Sequence, residues 1–259
     1  MTSTPSGLDG QTIIITGASR GIGEATARHF AENGAHVVLA ARSGAAIDTI
    51  AAEIRATGGQ ASALPCDVAD AGAVQGLVDH ALAETGRLDG LINNAAVIDP
   101  IGRLADTDPT AWSTAVDINV KGVYYGLHAA IPAMLAGQGG TIINISSGAA
   151  TGNLEGWTAY CATKAAVLSL TRGAHLEYGD EGIRVMGLSP GTVATQMQRE
   201  IKASGLNPVS QLDWDTHIPP EWVAQGLAFL FTPGGDAWLG TDFSLKTPEG
   251  RAAAGLPPL

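Results

Sequence analysis

Tyr160 and Lys164 stand four residues apart in the run Tyr-Cys-Ala-Thr-Lys, thirteen positions after Ser147. On a helix, side chains at i and i+4 share a face one turn apart, so this spacing sets an ammonium beside a phenol. A phenol ordinarily titrates near ~10, and an adjacent cation favours phenolate and lowers that value toward working pH. Such a group can serve as acid or base, and Ser147 adds a hydroxyl able to hold an oxygen in place. Alone, a Tyr-x-x-x-Lys pair is usually an exposed helix face. Here it follows the glycine-rich stretch Thr16-Gly17-Ala18-Ser19-Arg20-Gly21-Ile22-Gly23, which lies between an apolar run and a helical one. A tight glycine turn at that place exposes backbone N–H groups and a helix N-terminus to a pyrophosphate. The combination points to hydride chemistry.

The elements that must position these residues can be read from periodicity. Residues 12–16 are short, β-branched and apolar with turn residues after them, as a strand buried on both faces requires. A helix is expected over 21–33, with Gly34 at its C′ position. The alternation continues with strand 36–41, helix 47–57, strand 60–66, helix 71–85, strand 88–93, one long helix over 109–135 and strand 141–145. Helix 159–178 carries Tyr160 and Lys164. Strand 183–188, helix 220–231 and a last strand within 237–244 follow, and 196–219 is expected to be a loop that covers the substrate. This pattern implies right-handed crossovers and an α/β fold with a doubly wound parallel sheet of about seven strands flanked by helices. Ligands of such sheets bind at the carboxyl ends of the strands, where the candidate residues should converge.

With 259 residues and no linker or shift in composition, one domain is the economical reading. It divides into a cofactor-binding and catalytic core (8–195), the covering segment (196–219) and a C-terminal helix, strand and tail (220–259). The apolar fraction of 45% against 15% charged residues excludes a disordered chain. Cys66 and Cys161 are too few for a disulfide framework and fit a reducing compartment. Residues 1–7 lack a basic region and an apolar core of a leader, and no later run has the length of a membrane span, so a cytoplasmic protein is expected. A net charge of −11 disfavours nucleic acid and anionic membrane as partners, and the six histidines are scattered without ligand spacing, so no metal is expected.

The chain resembles the classical short-chain dehydrogenase/reductase family over essentially its whole length. The resemblance rests on Thr16 to Gly23, Asp67-Val68, Asn93-Asn94-Ala95-Ala96, Asn119, Ser147, Tyr160 with Lys164, and Pro190-Gly191-Thr192-Val193-Ala194-Thr195, in matching order and spacing. It implies a Rossmann fold in which Tyr160 is the catalytic acid/base, Lys164 its partner and ribose anchor, Ser147 the carbonyl-orienting hydroxyl and Asn119 the organiser of a proton-relay water. It further implies cofactor contacts from Gly17, Ser19, Arg20, Gly21, Ile22, Gly23, Asp67, Val68, Asn94, Ala95, Tyr160, Lys164, Pro190, Gly191, Val193 and Thr195. A homodimer or homotetramer associating through helices 109–135 and 159–178 is also implied. Two departures stand out: Ala96 replaces the usual glycine, and Gly240-Thr241-Asp242-Phe243-Ser244 replaces the common Asp-Gly-Gly near the C-terminus.

Cofactor choice is read from charge. An Asp or Glu at the end of the second strand would bind both ribose hydroxyls of NAD and repel the 2′-phosphate of NADP. Here that position is Ala41, followed by Arg42, and Arg20 supplies a second guanidinium nearby. NADP(H) is therefore the expected cofactor. Ser147, Trp157, Tyr160 and Met197 are the expected substrate residues, and Ile98, Leu206, Leu212 and Trp214 add to an apolar surround that suits an apolar or aromatic ketone. The expected reaction interconverts a ketone and a secondary alcohol. A 3-oxoacyl-carrier-protein reductase shares these features, although two acidic proteins dock less readily. A non-catalytic NADP-sensing protein would not require all four of Asn119, Ser147, Tyr160 and Lys164.

Overall fold

The computed structural model describes residues 7–258, so the expectations for residues 1–6 and for Leu259 lie outside the described residues. From the amino end run β1 (Thr12–Thr16), α1 (Gly21–Glu32), β2 (His36–Ala41), α2 (Gly44–Ala56), β3 (Gln60–Pro65), α3 (Ala71–Thr85) and β4 (Gly90–Asn93). Then come α4 (Pro109–Val116), a π-helical turn over Asp117–Lys121, α5 (Gly122–Ala136), β5 (Gly140–Ile145), α6 (Thr158–Tyr178) and β6 (Ile183–Ser189). The chain closes with α7 (Gln196–Ser204), α8 (Pro220–Leu230), β7 (Asp242–Ser244) and α9 (Pro248–Ala253).

The seven strands form one sheet in the order β3-β2-β1-β4-β5-β6-β7, parallel throughout. This is a single-domain Rossmann-like α/β fold. Because successive strand residues point to opposite faces, β1 feeds two cores. Ile13 and Ile15 join Phe30, Leu39, Leu227 and Phe231 on one face, while Ile14 joins Leu77, Leu91, Leu127 and Val167 on the other. The strand order reverses between β1 and β4, and the crevice at their carboxyl ends is the expected ligand position.

Local chemistry sets the element ends. The Asp70 carboxylate accepts from the N–H groups of Gly72 and Ala73 to start α3, and Gly86, at φ 76°, ends it. Three expectations are corrected. Strand β4 begins at Gly90 rather than at residue 88: Asp89 still bonds Thr12 and Thr141 through its backbone, but its carboxylate, paired with Arg87, takes the Thr12 N–H at 2.8 Å in place of a backbone carbonyl from residue 88. The single helix expected over 109–135 is broken by the π turn that contains Asn119. The covering segment is no plain loop: Thr195 stands at the N-cap of α7, and Gly205, at φ 66°, releases it into two short 3-10 turns. Helix α9 was not anticipated; Pro248 at its first position and the Thr247 hydroxyl, which accepts from Gly250 N–H, initiate it.

Candidate active site

A cavity of about 620 Å³ opens at the carboxyl ends of β1, β2 and β4. Gly17, Ser19, Arg20, Gly21, Ile22, Arg42, Asp67, Val68, Asn94, Ala95 and Thr195 line it, together with Met197. Of the other expected residues, Gly23, Asn119, Ser147, Trp157, Tyr160, Lys164, Pro190, Gly191 and Val193 are not part of that lining. Sequence reasoning missed Ser43, Ala46, Cys66, Val97, Asp99 and Ile118 on its wall, while Gln196 and Glu200 belong to the segment expected to cover the pocket. Glu200 was legible in part, since it stands one helical turn beyond Gln196, whose side chain donates to it at 3.4 Å.

The glycine turn is built for close backbone approach. Gly17 and Gly21 hold φ of 65° and 58°, where side chains are strained. A Cβ on Gly17 would lie 2.9 Å from Ala95 Cα, and one on Gly23 would run into the Gly17 carbonyl oxygen. Arg20 precedes α1 in extended conformation and no side chain caps the helix, so its first N–H groups are left to face the cavity. The Asn94 side chain donates to the carbonyls of Thr16 and Gly17 at 2.8 and 3.2 Å and braces the turn. Uncapped N–H groups, a floor without Cβ atoms and a cavity of this size fit a dinucleotide. Arg20 and Arg42 are exposed on the wall and form no ion pair among the described residues.

Tyr160 and Lys164 are buried on α6, 8% and 3% exposed, with the Lys164 Nζ 5.6 Å from the centre of the Tyr160 ring. The Lys164 ammonium donates to the Ile145 carbonyl at 2.6 Å, at the end of β5. Ser147, two residues on, stands near enough to the phenol to favour phenolate, and its Oγ accepts from Ala149 N–H at 3.1 Å. Burial pushes the phenol up to about 12, a rise that Ser147 only partly offsets, and pushes the ammonium down to about 8. The lowered phenol pKa expected from the Tyr–Lys spacing is therefore corrected: desolvation by burial dominates, and only Ser147 acts against it.

Asn119 bonds directly to the same helix. Its side chain accepts from Val97 N–H and donates to Val97 O, both at 2.8 Å, and donates to Thr163 Oγ1 at 3.1 Å. Trp157 sets its ring edge-on to Tyr160 at 5.9 Å between centres, within an apolar cluster of Ile98, Ala149, Cys161 and Ile201, against which Met197, Leu154, Val209 and Ile101 pack. Trp214 does not join that cluster: it lies under the Arg199 guanidinium, 4.9 Å from its ring centre, and against His217. Leu206 is 38% exposed. Beyond β6, Val193 pairs with Ile218, so the 190–195 segment is fixed by backbone bonds to the strand-like stretch before α8.

The profile of the short-chain dehydrogenases matches residues 11–205. The chain is 32% identical to a cyclohexanol dehydrogenase of Acinetobacter sp. (strain SE19) over 87% of its length and 89% of the relative's. It is 35% identical to a 2,5-dichloro-2,5-cyclohexadiene-1,4-diol dehydrogenase of Sphingobium indicum over 86% and 89%. A D-threitol dehydrogenase of Mycolicibacterium smegmatis is 36% identical over 73% of each chain. A crystal structure from Sinorhizobium meliloti 1021, described as a short-chain alcohol dehydrogenase, superposes with a TM-score of 0.81 at 29% identity, covering 91% of this chain and 94% of that one.

Proposed function

Because the chain belongs to the short-chain dehydrogenase family, we propose that it is an NADP(H)-dependent oxidoreductase interconverting an apolar cyclic or aromatic ketone and its secondary alcohol. The observation that carries the proposal is the buried Tyr160 phenol, held between the Lys164 ammonium and Ser147 beside a cavity that fits a dinucleotide. The bound nicotinamide supplies or accepts the hydride.

The residues of the chain do the rest. Ser147 holds the carbonyl oxygen, and Tyr160 transfers the proton. A phenol kept protonated by burial is the donor that ketone reduction requires, while alcohol oxidation requires phenolate and becomes favourable only at higher pH. Lys164 opposes the negative charge that develops on Tyr160 and anchors the ribose. The side-chain N–H groups of Asn119 are both engaged with Val97 and Thr163, so a relay water is left to the π-turn backbone and the remaining lone pair of Asn119 Oδ1. Gly17 to Gly23, Asn94 and Ala95 cradle the pyrophosphate side, Asp67 and Val68 the adenine, and Pro190, Gly191, Val193 and Thr195 the nicotinamide side. The two guanidiniums of Arg20 and Arg42 favour the 2′-phosphate of NADP(H). Apolar groups around Tyr160, chiefly Trp157, Ile98 and Met197, favour a hydrocarbon ring, in keeping with the cyclohexanol-acting relative.

Exposed Tyr124 on α5 and Leu176 on α6, the latter 86% exposed, support association through these helices into a dimer or tetramer. The test of the function is a panel of cyclic ketones, their alcohols and a carrier-linked 3-oxoacyl thioester, assayed with both cofactors through nicotinamide absorbance. Turnover confined to the thioester would replace the proposed substrate class. No turnover of any of them would overturn the enzymatic reading.

A further inference from the structure

Asp242 opens the edge strand β7, half-buried beside the fully buried Phe243. Its Oδ2 accepts the Ser146 hydroxyl at 2.5 Å, while its Oδ1 is buried and has no partner among the described residues. Gly187, its register partner on β6, makes room: a Cβ there would collide with that same Oδ1. A buried carboxylate with an unsatisfied oxygen destabilises a fold unless a cation offsets it. Burial raises the Asp242 pKa, and against it act the Ser146 hydrogen bond and the positive charges of Arg172 and Lys164, both on α6.

Ser146 links the carboxylate to the active site. It is flanked by Ile145, whose carbonyl receives the Lys164 ammonium, and by Ser147, whose hydroxyl acts on the Tyr160 phenol. We propose that Asp242 is a positioning residue of the Tyr160–Lys164 centre: by clamping Ser146, its carboxylate fixes the end of β5 that receives the Lys164 ammonium at Ile145 and presents Ser147, and it sets a negative charge on the far side of that ammonium. This rests on the functional reading above. Burial acts against the Lys164 charge and Asp242 acts for it; at Tyr160 the other facing groups are Ser147 and Cys161. Loss of the carboxylate leaves the ammonium weaker in opposing charge on the phenol, so the effect on turnover passes through Lys164 and not through contact with substrate.

Asp242→Asn keeps the shape and an oxygen for Ser146 but loses the charge. The chain holds four lysines, so the full-length protein labelled with 13C only in lysine gives a resolvable set of signals, and Lys164→Met assigns the one that matters. In Asp242→Asn the Lys164 titration should move toward lower pH, and kcat for ketone reduction should fall several-fold with KM little changed. The high-pH limb of the kcat profile should move in the same direction as the lysine signal. Asp242→Ser, smaller and still able to accept from Ser146, should reproduce the shift if the asparagine variant folds poorly. An unmoved Lys164 titration in a folded variant overturns the proposal. Failure of the functional reading is seen separately, as absent turnover in the wild type or full turnover in Tyr160→Phe, and leaves the lysine titration to decide the role of Asp242.

Discussion

Burial drives the two ionisable groups of α6 in opposite senses, and each shift has a measurable consequence. The phenol is raised to about 12, so it keeps its proton at neutral pH and can donate it. Tyr160→Phe preserves the ring and its contact with Trp157 but removes that proton; turnover should fall by at least ~10²-fold while NADPH binding, read by fluorescence, persists. Near-normal turnover in this variant would remove Tyr160 from the mechanism. The ammonium is lowered from 10.5 to about 8, so between those values the unfolded chain holds a proton that the folded chain has released. Stability from this group is therefore lacking below pH 8 and recovered as pH rises toward 10.5. Relative to Lys164→Met, wild type should gain on the order of 3 kcal/mol across that window in denaturant unfolding. A stability difference flat with pH would mean that Lys164 is not desolvated as its surroundings imply. The spacing of Tyr160 and Lys164 was legible from sequence because a helix converts four residues into one shared face. The direction of the phenol's shift was not, because desolvation depends on what the sheet and α7 place over the helix.

At the scale of elements, strands and the glycine turn were readable because their residues satisfy only one conformation. Three consecutive isoleucines in β1 suit a strand buried on both faces, and Gly17 and Gly21 suit left-handed backbone. Gly23 has neither reason; it is required by contact, since a side chain there meets the Gly17 carbonyl and Asn94. Gly23→Ala should therefore destabilise the fold by about 1–3 kcal/mol through overpacking. Its Tm should drop on the order of 5 °C, with cofactor affinity falling as the turn is displaced. A variant with unchanged Tm and affinity would show that the turn absorbs a methyl without moving. What the sequence hid was set by partners far along the chain. The π turn at Asn119 depends on its bonds to Val97 and Thr163, and the late start of β4 depends on the bond from Thr12 N–H to Asp89. Gly187 and Asp242 are 55 residues apart in sequence and adjacent in register, so their mutual fit has no local signature.

The molecule as a whole carries a net charge of −11, and against that field two arginines without an ion pair among the described residues stand on the wall of the candidate cofactor cavity. A dinucleotide with an additional phosphate would be repelled by the overall charge, so local cations must decide its binding, and their effect should weaken as salt screens them. Arg42 follows Ala41 at the end of β2, where a carboxylate would otherwise select the ribose hydroxyls of NAD. Each charge-assisted bond from Arg20 or Arg42 to the 2′-phosphate contributes about 1.5–3 kcal/mol. Arg42→Ala should then weaken NADPH by roughly tenfold or more and leave NADH almost unchanged, because NADH lacks the group being held. Ala41→Asp should go further and reverse the preference, since the new carboxylate repels the phosphate and accepts the 2′-hydroxyl of NADH. The cavity also holds Asp67, Asp99 and Glu200, so the contrast between the two cofactors, rather than the absolute affinity of either, isolates the arginines. The measurement is kcat/KM with each cofactor for wild type, Arg42→Ala and Ala41→Asp at two ionic strengths. A wild type that already prefers NADH, or an Arg42→Ala that loses both cofactors equally, would show that these guanidiniums face solvent and take no part in the choice.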